Sequence, residues 1–150
     1  MKNETLEEYL NLWLKDLEPG WYEAFGGNLY NELITSIEED GCKNSFEFEQ
    51  IKEKYGSLRL YASGYGDKTR EVLHKYEELS KYICGHCGKP AKWISSGWIY
   101  PFCDNCIKEV QVEPIPIEKF YTFKTYDDIL IETENIKTNY KYENYWKPIK

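Results

Sequence analysis

Four cysteines carry the clearest chemistry in this sequence. They stand in two close pairs, Cys84-Gly-His-Cys87 and Cys103-Asp-Asn-Cys106, with fifteen residues between the pairs. A Cys-x-x-Cys step holds two thiolates on one side of an ion, and a second step completes a tetrahedron of soft ligands. The spacing predicts that Cys84, Cys87, Cys103 and Cys106 bind one Zn2+ in a closed structural site. A catalytic zinc keeps one position for water, and four thiolates leave none. Gly88 follows the first pair, where a tight turn is needed.

Residues 91–95 and 98–102 flank Ser96-Gly97 and read as a short hairpin between the pairs. Cys106 is then expected to open a short helix reaching Val110, whose free amides offset thiolate charge. Pair, hairpin, pair at a helix start is the treble-clef layout. A zinc ribbon, with the second pair on a turn, is the alternative. Sites of this kind contact protein, RNA or DNA, or only hold a small fold together, and the spacing does not choose among these roles.

Other reactive residues are sparse. Cys42 reads as a free thiol near a helix end. His74 falls on a helix surface and His86 on the rim of the first knuckle. Neither is paired in sequence with a nucleophile, so no acid–base triad emerges. Glu47 and Glu49 share a strand face, as a glycosidase pair would, but no sugar groove accompanies them. Glu38, Glu39 and Asp40 read as a solvated helix end. The expectation is a protein that is not an enzyme.

Three segments are candidate binding surfaces. Lys52, Lys54, Arg59, Lys68 and Arg70 interleave with Tyr55, Tyr61 and Tyr65. Cations beside stacking rings hold a phosphate, a nucleotide or a single strand. The same lysines also suit an ordinary sheet edge that resists pairing. Trp93 and Trp98, with Lys89 and Lys92, either cover a small core or form a platform for protein or a base. Trp21 to Gly27 is either a packed loop or an aromatic approach to a helix whose free amides take an anion.

The elements that position these residues follow from pattern. Thr5 and Glu8 form a capping box ahead of a stripe of Leu6, Tyr9, Leu10, Trp13, Leu14 and Leu17. Pro19-Gly20 is expected to end that helix. Asn28 would cap a second one, with Leu29, Leu33, Ile34 and Ile37 on one face, stopped at Asp40-Gly41. Phe46 and Phe48 alternate with acids, and Ile51 breaks the phase, which predicts a bulge or a bend. Gly56-Ser57 marks a hairpin turn between Tyr55 and Leu58, and Gly64 and Gly66 close the hairpin. Asp67 would cap a third helix burying Val72, Leu73, Tyr76, Leu79 and Ile83, running into Cys84. Val112 to Pro116 reads as an extended crossing. Phe120, Thr122 or Phe123, and Tyr126 suggest a strand. A last strand and an aromatic tail with Tyr140, Tyr142, Tyr145 and Trp146 would follow.

The fold class expected is α+β: a small antiparallel sheet packed with N-terminal helices and an integrated four-cysteine module. Residues 1–83 form the helical and hairpin body, 84–110 the zinc module, and 111–150 an extension packing on the body. The chain's 150 residues suit one compact unit. Net charge is −9 over residues 1–50, +3 over 51–110 and −1 over 111–150. That acidic front disfavours duplex DNA and attracts basic protein surfaces. Tyr and Trp suit half-wet sites, so 14 Tyr and 5 Trp favour an aromatic surface. No segment is apolar enough to span a bilayer, and Glu4, Glu7 and Glu8 are unlike a signal peptide's start. A cytoplasmic location is expected, where paired thiols stay reduced and bind metal.

One resemblance adds to this. Lys52-Glu53-Lys54-Tyr55-Gly56-Ser57-Leu58-Arg59-Leu60-Tyr61 resembles a Lys-x-Lys-Phe-Gly-Gly-Leu-Arg-Phe-Tyr-like run in small uncharacterised phage and prophage proteins. There, a helix and a Cys-x-x-Cys-Gly knuckle follow it. This chain keeps Lys52, Lys54, Gly56, Leu58, Arg59, Tyr61 and Cys84-x-x-Cys87-Gly88, and departs at Tyr55, Ser57 and Leu60. The resemblance spans residues 21–108. It implies a phage accessory protein that binds and inhibits or redirects a host protein, defence proteins included, in the bacterial cytoplasm. Binding of a nucleotide or single-stranded nucleic acid through Lys52–Tyr61 is the alternative.

Overall fold

The computed structural model describes residues 4–121. Helix α1 (Leu6–Leu14) starts at the expected capping box: the Glu8 amide donates to Thr5 Oγ1 at 3.1 Å, and the Thr5 amide donates to Glu8 Oε1 at 3.3 Å. Leu6, Tyr9, Leu10 and Leu14 are buried along its stripe.

Pro19 does not end a helix but begins one. Helix α2 runs without a break over Pro19–Asp40, so the expected loop at residues 21–27 and the Asn28 cap are absent. Proline at the first helical position lacks only an N–H that the helix leaves unpaired anyway. Trp21, Phe25, Leu29, Leu33 and Ile37, each four residues apart, form one buried face. Packing of that face outweighs the poor helix propensity of the glycines. Gly41 ends the helix in the left-handed conformation, φ 64°.

Strands β1 (Glu47–Lys54) and β2 (Ser57–Ser63) form an antiparallel hairpin with Lys52 opposite Arg59 and Gln50 opposite Tyr61. The predicted bulge lies between Phe48 and Gln50. The turn itself is Tyr55-Gly56, one residue earlier than expected. Both have positive φ, 53° and 81°, the twist that two-residue hairpin turns require. The Gly56 amide donates to Glu53 Oε2 at 2.8 Å.

Helix α3 (Asp67–Ser80) lies along the open edge of β2. Two β2 amides that face away from β1 find side-chain acceptors on α3. Leu58 N donates to Ser80 Oγ and Leu60 N to Glu77 Oε2, each at 2.8 Å. Covering an edge in this way removes a template for unwanted pairing. Asp67 is the first residue of α3 rather than its cap. Gly66 is the N-cap residue, and the capping carboxylate comes from Asp40 at the end of α2, which accepts from Lys68 N at 3.2 Å and Thr69 N at 2.8 Å. Asp40 is therefore more than part of a solvated acidic end. Backbone donation from Thr69 holds its carboxyl below the usual range. Cys42 is buried as expected, its sulfur 3.8 Å from both the Ile37 carbonyl and Thr69 Oγ1.

The remaining elements form a second sheet in the order β4-β3-β5, from β3 (Trp93–Ser95), β4 (Pro101–Phe102) and β5 (Pro114–Pro116). The expected crossing at 112–116 is thus partly a strand. Its prolines are tolerated because β5, like Pro101 in β4, lies on an edge. A one-turn 3-10 helix covers Cys106–Glu109, and a short α4 covers Ile117–Phe120. Phe120 is therefore helical, not on a strand. The readings at Thr122, Phe123 and Tyr126 and over residues 129–146 lie outside the described residues. The architecture is α+β, a small antiparallel sheet packed against N-terminal helices. No helix among the described residues is long and apolar enough to cross a membrane.

Candidate metal centre and the surfaces around it

The sulfurs of Cys84, Cys87, Cys103 and Cys106 all lie within 4.8 Å of one another. Cys87 Sγ and Cys103 Sγ, one from each pair, are 3.5 Å apart. Four Zn–S bonds of about 2.3 Å in a tetrahedron put sulfurs roughly 3.8 Å apart, so the cluster has the size of a metal site. Each pair sits on a turn that its own backbone fixes. Cys84 N donates to Lys89 O at 2.8 Å, and Gly88 N to Cys84 O at 3.0 Å. The Cys106 amide donates to Cys103 Sγ at 3.4 Å.

Electrostatics point the same way. Burial, the neighbouring Cys103 and the charge of Cys84 push the Cys106 thiol well up, and burial raises Cys87, whereas against its burial the Cys106 amide and neighbouring thiols draw Cys103 down. Four thiolates this close repel one another unless a cation lies between them, and a coordinated thiol is deprotonated outright. The residues present fit a metal ion.

The module is built onto the body through the start of α2. Gly20 N donates to Gly85 O at 2.6 Å, and Trp21 Nε1 donates to Ile83 O at 3.0 Å. The backbones touch closely: a Cβ on Gly20 would stand 2.0 Å from the Cys84 carbonyl oxygen, and one on Gly88 would stand 2.7 Å from Gly20 O. Glycine at both positions is what permits the approach.

The candidate surface residues distribute as follows. Lys52, Lys54, Arg59 and Tyr61 share the hairpin, and Tyr55 stands on its tip, 68% exposed. Lys54 Nζ lies 5.8 Å from the Tyr55 ring. Arg59 is half-buried, and its Nε has no hydrogen-bond partner among the described residues. Lys68 and Arg70 lie on α3, where Glu39 and Asp67 neutralise them at 3.3 and 2.9 Å. Trp93 and Trp98 do not pair across the hairpin. Trp93 faces Phe102 and Pro116, with Nε1 donating to Asp104 at 2.8 Å. Trp98 lies in the turn beyond β3, 73% exposed, with Nε1 donating to Glu53 Oε1 at 3.3 Å. That contact places the two hairpin tips side by side, and a Cβ on Gly56 would meet Ile99 Cγ2 at 2.9 Å.

A pocket of about 140 Å³ opens beside Trp98. Its lining is Glu18, His86, Ser95, Trp98, Tyr100 and Phe102, with Val110 and Val112. Tyr100 Oη donates to Glu18 Oε1 at 2.7 Å. Burial first, then that carboxylate, pushes the Tyr100 phenol up. Most of this lining lies outside the candidates that the sequence offers. The signal is present in the alternation of Trp98, Tyr100 and Phe102, which puts three rings on one side of an extended chain. His74 is exposed on α3. His86 rims the pocket, its ring 5.6 Å from Tyr100 and 5.2 Å from Phe102.

No family model matches the chain, and no curated protein or solved structure matches it either.

Proposed function

We propose that this chain is a non-enzymatic, zinc-stapled protein-binding module. The observation that carries the reading is the pair of touching hairpin tips. Tyr55 and Trp98, the two most exposed large hydrophobic side chains among the described residues, stand there, and Trp98 also lines an apolar pocket. Exposed rings around a pocket are the usual anchors of a protein interface. The ion is Zn2+, for which four thiolates are the preferred closed shell, and its role is structural. The second pair opens only a four-residue 3-10 helix, and β5 adds a third strand to the module. Both features support a ribbon-like layout over the treble clef.

The resemblance of residues 52–61 to phage and prophage proteins supports a host protein as the partner, inhibited or redirected in the bacterial cytoplasm. The net charge of −7 suits a basic partner surface. The nucleotide alternative rests on Lys52, Arg59 and Tyr61. It is weakened because Lys68 and Arg70 already hold acidic partners.

Affinity capture from bacterial cytoplasm, with mass spectrometry of proteins and small molecules, tests the reading. The wild-type chain should retain a protein in stoichiometric amount, and the Tyr55→Ala, Trp98→Ala double variant should lose it. Recovery of a nucleotide and no protein would overturn the proposal.

A further inference from the structure

We infer that the pocket beside Trp98 is an aromatic cage for a methylated lysine side chain of a protein partner. The inference deepens the protein-binding reading and rests on it. Three rings border one another around the pocket. Trp98 and Tyr100 have centroids 5.8 Å apart and planes inclined by 58°, and Tyr100 and Phe102 are 5.0 Å apart and inclined by 45°. His86 stands edge-on to the last two. Tyr100 and Phe102 are buried and form the floor, while Trp98 and His86 are exposed and form walls. Trp98, Tyr100 and Phe102 all line the pocket, and a cation held among clustered rings is attracted to each face it meets.

Charge and hydrogen-bonding capacity narrow the occupant further. Glu18 supplies a carboxylate at the pocket, held in place by Tyr100 Oη. An apolar side chain would gain nothing from it, whereas a cation would. A primary ammonium carries three donors that need acceptors. Here Glu18 is the one carboxylate in the lining and already accepts from Tyr100, Ser95 Oγ is engaged with the Trp98 and Tyr100 carbonyls, and the rest of the lining is rings and two valines, so few acceptors meet those donors. A methylated ammonium keeps the charge and sheds donors. The volume agrees: about 140 Å³ compares with the roughly 150 Å³ that accommodates benzene in an engineered cavity, and a trimethylammonium head is of that order. Glu53 fixes the exposed wall by accepting from Trp98 Nε1. The acidic chain favours approach of a lysine-bearing surface over a neutral one.

Calorimetric titration of the full zinc-loaded chain tests this with four probes: a short peptide carrying trimethyllysine, the same peptide with lysine, the same peptide with the neutral tert-butyl isostere, and tetramethylammonium chloride. The trimethyllysine peptide should bind about tenfold more tightly than the neutral isostere, the scale of a partly desolvated cation–π contact. Lysine should fall between them, and tetramethylammonium should bind more weakly than the peptide. Trp98→Ala and Glu18→Gln should each remove most of the preference for the cation. Both leave the fold intact, since Trp98 is exposed and Gln still accepts from Tyr100, and unchanged zinc content and melting temperature verify this. Equal binding of the neutral isostere, or no binding of the methylated peptide, overturns the cage. Lysine binding as tightly as trimethyllysine, or tetramethylammonium binding as tightly as the peptide, keeps a cation site but overturns its assignment to a methylated lysine of a protein. None of these results bears on the protein-binding reading, which the capture experiment decides separately.

Discussion

Gly20→Ala probes the joint between the body and the metal module. The added Cβ would stand 2.0 Å from Cys84 O, 2.6 Å from the Gly85 carbonyl carbon and 2.7 Å from Gly88 N. All three are backbone atoms of the first knuckle, so no side chain can swing aside. Forcing a methyl group into such a contact costs about 1–3 kcal/mol. Losing the bond from Gly20 N to Gly85 O adds about 1 kcal/mol. Alanine's better helix propensity returns less than about 1 kcal/mol. The net loss is about 1–4 kcal/mol, which for a chain of this size lowers Tm by roughly 2–16 °C. Because the displaced atoms belong to the Cys84–Gly88 turn, zinc should also leave faster, as read by a chromogenic chelator. Gly41→Ala is the control. It is strained by its φ of 64° but has nothing within 4 Å of the new Cβ. It should lower Tm modestly and leave zinc release unchanged. If Gly20→Ala melts and releases zinc like the wild type, the close docking of α2 on the knuckle is refuted.

Three further outcomes are expected. Cys103→Ser should reduce zinc to background by elemental analysis and lower Tm, and full occupancy with an unchanged Tm would exclude Cys103 as a ligand. Ser80→Ala leaves the buried Leu58 amide without its acceptor, so urea unfolding should show a loss of about 1–3 kcal/mol with an unchanged m-value. For Asp40, the folded pKa lies below the unfolded value of about 3.9. Its stabilisation is therefore complete above that value and is lost as pH falls through the lower folded one. The Tm deficit of Asp40→Asn should be full at neutral pH and shrink below about pH 4; a deficit that persists unchanged at pH 3 would show that the charge does not act as the cap.

What the sequence revealed was mostly local. The capping box at Thr5 and the two cysteine pairs each depend on residues a few positions apart and stand where the pattern puts them, and the register shift between Phe48 and Gln50 falls just ahead of the phase break at Ile51. Helix α2 was obscured by a real ambiguity. Pro-Gly is a stop signal after a helix and an acceptable start before one, and only the contacts of Gly20 with Cys84 and Gly88 reveal the second use. The i, i+4 repeat from Trp21 to Ile37 carried the right answer against the glycines. Strand β5 was hidden because prolines usually argue against a strand, and they fail to do so only at an edge that cannot be known before the topology is. Asp40 looked like one acid among three because its partners, Lys68 and Thr69, lie across the hairpin in sequence. The pocket is the extreme case, since Glu18 and Tyr100 are 82 residues apart.

Those long-range contacts tie the cysteine cluster to the pocket more closely than the cysteine spacing suggests. Three of the pocket's residues adjoin the cluster or its support. His86 lies between Cys84 and Cys87, Phe102 immediately precedes Cys103, and Glu18 precedes the helix whose first amides reach Gly85. Four thiolates this close repel one another without a cation between them, and burial pushes the Cys87 and Cys106 thiols up. Parting of the cysteines would move His86 relative to Phe102 and strain the contact between Tyr100 and Glu18. A structural ion in this position therefore does more than hold a small lobe together. On the proposed reading it would set the distance between the body, which contributes the Glu18 carboxylate, and the module, which contributes the rings, so that stripping the ion with a chelator should weaken partner capture.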